Sequence, residues 1–178
     1  MKNRFSVILA LITALLIILA LAGCSKDNQP KPENTTVKKQ ITLYFADDQA
    51  EYLVAEKQTV EIKEPVTSVK LASSIVQALI AGPQTKGLYP TLPAETHLLS
   101  LKIKDSVAYV NFSQELISKH WGGSTGEGMT INSVVNSLTE LKEIKKVQFQ
   151  VEGKTQESLL GHYDTTVPIV RNDDMIKQ

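Results

Sequence analysis

Apolar and polar residues alternate in five stretches of this chain and recur at helical spacing in two more. From Gln40, the side chains Ile41, Leu43 and Phe45 alternate with Gln40, Thr42 and Tyr44. This is the period-2 signature of a strand with one buried face. The turn residues Ala46-Asp47-Asp48-Gln49 follow. Residues 52–62 are extended again and end on the alternation Thr59-Val60-Glu61-Ile62, so the two segments are expected to pair as a hairpin. Beyond Pro65 the period changes. Leu71, Ile75 and Leu79 recur every four residues from Thr67 or Ser68 onward, with Ala72, Val76 and Ile80 beside them, a broad apolar stripe on a helix. Gly82-Pro83 stops that helix, and residues 84–94 form a loop rich in Gly and Pro.

Residues 97–104 alternate once more, turn at Asp105-Ser106, and return over 107–112 with Ala108, Val110 and Phe112 on one face. Ser113 is placed to cap a short helix over 114–120. A glycine-rich connection, 121–128, leads to a helix with Ile131, Val134, Val135, Leu138 and Leu141 on one face. Within the connection, Ser124 and Glu127 have capping-box spacing. Val147, Phe149 and Val151 mark a last strand. After Gly153 clear periodicity is lost; residues 163–170 read as a short strand or a surface segment, and 172–178 as a frayed end. The order β-β-α-β-β-α-α-β predicts an α/β (α+β) domain of two layers, a mixed four- to five-stranded sheet with helices on one face.

The N-terminus changes the picture of where this domain works. Lys2 and Arg4 precede an uncharged run from Phe5 to Leu21, and Leu21-Ala22-Gly23-Cys24 closes it. Positive start, apolar core and small residues before a cut are the parts of a secretory signal. The chain's one cysteine directly after the small pair makes it a bacterial lipoprotein signal, with Cys24 the lipidated N-terminus. Two or more acyl chains, at roughly 0.8 kcal/mol per buried methylene, suffice for stable anchoring. The expected organisation is a signal peptide over 1–23, a polar Pro- and Lys-containing tether over 24–39, a folded domain over 40–153 and a C-terminal extension over 154–178. The location that follows is the extracytoplasmic face of the cell membrane.

Charge and composition exclude more than they assign. Cleavage before Cys24 removes Lys2 and Arg4, so 19 Asp and Glu exceed the remaining Lys and Arg by two. Both signs are scattered, which argues against nucleic acid as a partner. A lipidated Cys24 leaves no free thiol for disulfides or thiol catalysis.

Candidate chemistry is sparse. Gly122-Gly123-Ser124-Thr125-Gly126 matches the G-x-S-x-G nucleophile elbow, but a helix and Trp121 enter it where the mechanism needs a strand. His162 also precedes Asp164, the reverse of the order that fold uses. His97, His120 and His162 lie far apart without metal-ligand spacing. Asp47-Asp48 is a turn pair lacking the spaced ligands of a calcium loop. No catalytic residue, metal site or cofactor is assigned. Trp121, beside mobile glycines, and Tyr89, in the Gly-Pro loop, are the candidate contact surface.

Several segments in this order resemble the GerMN domain of bacterial sporulation and spore-germination lipoproteins. They are Ala78-Leu79-Ile80-Ala81-Gly82-Pro83, Leu92-Pro93-Ala94-Glu95-Thr96, Val107-Ala108-Tyr109-Val110-Asn111-Phe112-Ser113, Val134-Val135-Asn136-Ser137-Leu138-Thr139-Glu140-Leu141 and Val147-Gln148-Phe149-Gln150-Val151-Glu152-Gly153. The family often has aspartate where this chain has Asn111, and threonine where it has Ser137. The resemblance implies a non-catalytic envelope module that acts in assembly, with envelope proteins or its own copies as partners. Peptidoglycan or a small ligand is the alternative partner, and the resemblance supplies no catalytic residues.

Overall fold

The computed structural model describes residues 35–178; Cys24, the signal peptide and residues 25–34 of the tether lie outside the described residues. β1 (Thr36–Ala46) and β2 (Leu53–Lys63) pair antiparallel along their whole length, from Thr36 opposite Lys63 to Ala46 opposite Leu53. The first strand therefore begins at Thr36. Residues 36–39, read from the sequence as the end of the tether, are strand because each has a partner on β2.

α1 (Ser68–Ala81) is bounded by the residues its sequence supplies for the purpose. The Thr67 side chain accepts a hydrogen bond from the Lys70 amide, and the Gly82 amide donates to the carbonyls of Ala78 and Leu79 at a φ of +89°. That left-handed conformation suits glycine. β3 (Leu98–Lys104) and β4 (Val107–Phe112) form the expected hairpin. Both turn residues, Asp105 and Ser106, have positive φ, the backbone of a twisted two-residue turn.

From β4 the chain crosses over through α2 (Glu115–Ser118) and α3 (Ser124–Leu138) to β5 (Lys146–Val151), which lies parallel to β4. β6 (Ile169–Val170) adds antiparallel to β5. The α+β class and the mixed four-stranded sheet are thus as the sequence reads, but β1 and β2 form a sheet of their own. Alternation fixes which face of a strand is buried and leaves its edge partner open. Here the buried face of β1 packs against α1 and α3, so the hairpin joins the core through helices instead of through a shared ladder.

Leu43 and Phe45 of β1, Ile75 and Leu79 of α1, Val110 and Phe112 of β4, Val134 and Val135 of α3, and Val147 and Phe149 of β5 make one fully buried core. The Phe112 and Phe149 rings stack 6.1 Å apart. Among the described residues no helix is long and apolar enough to cross a membrane.

Two expectations at the ends of elements are corrected. α3 starts at Ser124 and absorbs Gly126 and Gly128 into its first turns. These glycines serve close packing: a Cβ on Gly128 would stand 2.7 Å from the Tyr163 hydroxyl, and one on Gly126 would stand 3.2 Å from both His120 Cε1 and Trp121 Nε1. The C-terminal segment is docked instead of frayed. Ile176 bridges Leu53, the Lys177 amide donates to the Leu53 carbonyl at 2.9 Å, and Met175 and Ile176 pack on a cluster of Tyr44, Ala46, Leu53 and Met129.

Candidate functional site

The two candidate contact residues, 32 positions apart in sequence, line one open cleft of about 360 Å³. It lies among the β1–β2 turn, the segment leading to Pro90, and the start of α3. Ala46, Ala50, Pro90 and Met129 contribute apolar lining, and the acidic residues Asp47 and Asp48 also line it. Trp121 and Tyr89 also border it, 56% and 53% exposed. Large aromatic side chains normally gain by burial, so rings this exposed invite the question of what holds them in the open.

For Tyr89 the answer is its backbone. Its amide and carbonyl pair with those of Ala46 at 2.9 and 3.2 Å, a one-residue extension of the hairpin edge. The start of the same segment is tied to β2 by Glu56, a buried carboxylate that accepts from the Gln84 amide at 3.1 Å and the Thr85 amide at 2.5 Å, and from Gln58 Nε2 at 2.7 Å. Burial alone would raise the Glu56 pKa. The bonds from Thr85, Gln58 and Gln84 outweigh it and hold the group below the ordinary glutamate range.

Trp121 is held by His120. The two rings lie 4.8 Å apart at 35°. His120 Nε2 sits 2.8 Å from Thr130 Oγ1, whose own proton goes to the Thr91 or Gly126 carbonyl. Nε2 is therefore the donor, and Nδ1 accepts from the Gly122 amide at 3.0 Å. This pattern requires a neutral imidazole. Burial lowers the His120 pKa, opposed by the charge of Glu127. The folded state thus disfavours the proton, and stability from this group is present above the unfolded value of about 6.5 and lost as pH falls through the lower folded value. Acidification through that range is expected to break the Gly122 bond and change the emission of Trp121, the chain's one tryptophan. A fluorescence titration checks this, and His120→Gln should abolish the transition.

Ser124 is exposed and is the first residue of α3, not its cap: the cap position is Gly123, and no side chain caps the helix. The expected capping box is therefore absent. Glu127 has turned away to a different task that sequence spacing could not reveal. It is fully buried and accepts five hydrogen bonds from one loop: at Oε1 from Ser158 Oγ (2.7 Å) and the amides of Leu159 (3.1 Å) and Leu160 (2.9 Å), and at Oε2 from the His162 amide (2.9 Å) and His162 Nδ1 (3.0 Å). Ser113, expected to cap α2, instead accepts from the His97 amide at 3.0 Å and so ties the helix start to the entry of β3.

Asp47 is committed as well. Its Oδ1 accepts from the amides of Glu51 and Tyr52, and its Oδ2 meets Lys177 Nζ at 3.2 Å. Among the described residues, no group of three His, Cys, Asp or Glu side chains could hold a metal.

Comparison with known proteins is consistent with this architecture. The sequence matches the Germane family, described as sporulation and spore germination, over residues 42–157. No curated relative matches it. Among solved structures it is 28% identical to a protein from Clostridium perfringens described as a candidate lipoprotein, with a TM-score of 0.55 and coverage of 80% of this chain and 93% of that one. It is 24% identical to the first GerMN domain of the sporulation protein GerM from Bacillus subtilis, with a TM-score of 0.61 and coverage of 75% and 98%. Against the tandem GerMN domains of the same protein the identity is 22%, the TM-score 0.60 and the coverage 87% of this chain and 51% of that one, so the chain spans about half of the tandem pair. The likeness to GerM is one of fold.

Proposed function

The chain belongs to the Germane family of sporulation and spore-germination proteins, and from that footing we propose that it is a lipid-anchored protein of the extracytoplasmic membrane face whose domain binds envelope proteins or its own copies and transforms no substrate. The anchor is Cys24, whose surroundings supply a basic start, an apolar core and a small pair before the thiol. The lipoprotein description of the relative from Clostridium perfringens supports the same reading.

The observation that carries the binding role is the use made of side chains at the surface cleft. The polar groups best suited to proton transfer nearby are spent on internal bonds: Glu127 on the 158–162 loop, His120 on Thr130 and Gly122, Glu56 on residues 84–85. What remains presented outward is the two aromatic rings, a residue type enriched at protein contact surfaces, with Asp48 beside them.

Two measurements test the proposal. Cells fed an alkyne analogue of palmitate are expected to label the wild-type chain and retain it in membranes, whereas Cys24→Ala should be unlabelled and lose its lipid-dependent retention. A wild-type product that is unlabelled and soluble refutes the anchor. Crosslinking in intact cells is expected to trap an envelope partner or an oligomer, and repeated recovery of neither refutes the binding role.

A further inference from the structure

The cleft bordered by Trp121 and Tyr89 is preorganised in a way that says what it can hold. Tyr89 is fixed through the Ala46 bridge, and its segment is tethered by Glu56; Trp121 rests against His120, which is itself bonded on both nitrogens. The Tyr89 backbone and the Trp121 ring are thus held before binding, which lowers the ordering cost of association.

The chemistry of the lining is one-sided. The charged residues that line the cleft are Asp47 and Asp48, both acidic. Asp47 is neutralised by Lys177, but Asp48 is exposed and forms no ion pair among the described residues. Glu51 in the same turn is likewise exposed and forms none. The turn thus carries uncompensated negative charge beside two aromatic faces. A neutral sugar could stack on the rings but would leave the charge of Asp48 unpaired. An anion is repelled. A cation on an apolar stem fits both features, since aromatic faces attract cations and a nearby carboxylate completes the pairing.

We propose that this cleft receives an arginine or lysine side chain presented by a partner protein, its stem between Trp121 and Tyr89 and its charge at Asp48. The proposal rests on the protein-binding reading and names the chemistry of the partner's anchor.

The test uses the full chain in detergent and the indole N–H resonance of Trp121, which is a single reporter because the chain has one tryptophan. The probes are acetyl-arginine amide, its uncharged counterpart acetyl-citrulline amide, and an N-acetylglucosamine tetramer, each titrated through the millimolar range. Acetyl-arginine amide is expected to shift the resonance saturably, at least about fivefold more tightly than the citrulline probe. Asp48→Asn should weaken it about two- to fivefold, and added salt should weaken it too. Tyr89→Ala should weaken it without removing the salt dependence.

Equal affinity for the citrulline probe overturns the assignment. So does a saturable shift with the sugar alone, which would mark a glycan site, or no saturable shift with any probe. Failure here is separable from failure of the broader role. If only this site is wrong, crosslinked partners persist in Asp48→Asn and Trp121→Ala; if the binding role is wrong, the wild type yields none.

Discussion

Glu127→Ala is expected to destabilise the folded domain by about 3–5 kcal/mol, because several donors lose a charged acceptor at once and hydrogen bonds to charged groups are each worth about 1.5–3 kcal/mol. The wild-type carboxylate has no exposed surface and takes five donors. Deleting it leaves the amides of Leu159, Leu160 and His162 facing a void, and an unsatisfied buried donor costs about 1–3 kcal/mol. Glu127→Gln is expected to do nearly as badly despite its similar shape, because its amide NH2 must face donors. Urea unfolding at neutral pH measures the loss, and hydrogen exchange should localise it to residues 158–162. A Gln variant as stable as wild type would show that the loop holds without the charge.

The same carboxylate predicts a pH dependence. Burial acts to raise its pKa, but the bonds from Ser158, the Leu160 amide and His162 prevail and hold it below the ordinary glutamate range. A depressed folded pKa gives stability that is fully present above the unfolded value, about 4.3, and is lost as pH falls through the folded one. Wild-type stability is therefore expected to fall more steeply than that of Glu127→Gln below about pH 4.3. Parallel acid profiles would assign the acid sensitivity to other groups, such as Glu56 and Asp47, whose pKa values are also depressed.

What the sequence made legible was local. The β3–β4 hairpin follows from alternation on both sides of Asp105-Ser106, and α1 from a four-residue stripe between a Thr67 cap and a Gly82 stop. What it hid was the identity of partners far along the chain. Ser124 and Glu127 have the spacing of a cap, yet Glu127 serves a loop more than 30 residues downstream. Gly126 and Gly128 read as breakers because glycine costs a helix about 1 kcal/mol. The aromatic rings of Trp121 and Tyr163 against them are tertiary facts that override that cost. Trp121 and Tyr89 could be chosen as contact residues by type and loop context. That they share a cleft with Asp48 depends on the hairpin turn meeting the start of α3, which no periodicity encodes.

The C-terminal segment makes the same point through Arg171, whose loss is expected to cost about 2–3 kcal/mol, the worth of a charge-assisted hydrogen bond or two in a partly buried site. Arg171 donates from Nη2 to the Tyr44 hydroxyl (2.9 Å), from Nη1 to the Asn136 carbonyl (2.8 Å) and from Nε to Asp173 (2.6 Å), and Nη1 lies 3.0 Å from Glu140 Oε1. Its guanidinium also stands 5.3 Å from the centre of the Tyr44 ring, and the Tyr44 hydroxyl donates to Glu140 at 2.7 Å. One planar group thus binds β1, the end of α3 and the tail together. Arg171→Lys should recover little, because a single ammonium cannot reproduce the fork. Arg171→Ala is expected to lower the urea midpoint and to open residues 166–178 to protease while the β3–β4 hairpin stays protected. In a double-mutant cycle with Tyr44→Phe, the two losses should fall short of additivity by about 0.5 kcal/mol or more, because both residues act on Glu140. Strict additivity, or a tail as protected in Arg171→Ala as in wild type, would mean that Met175 and Ile176 hold the segment by packing alone.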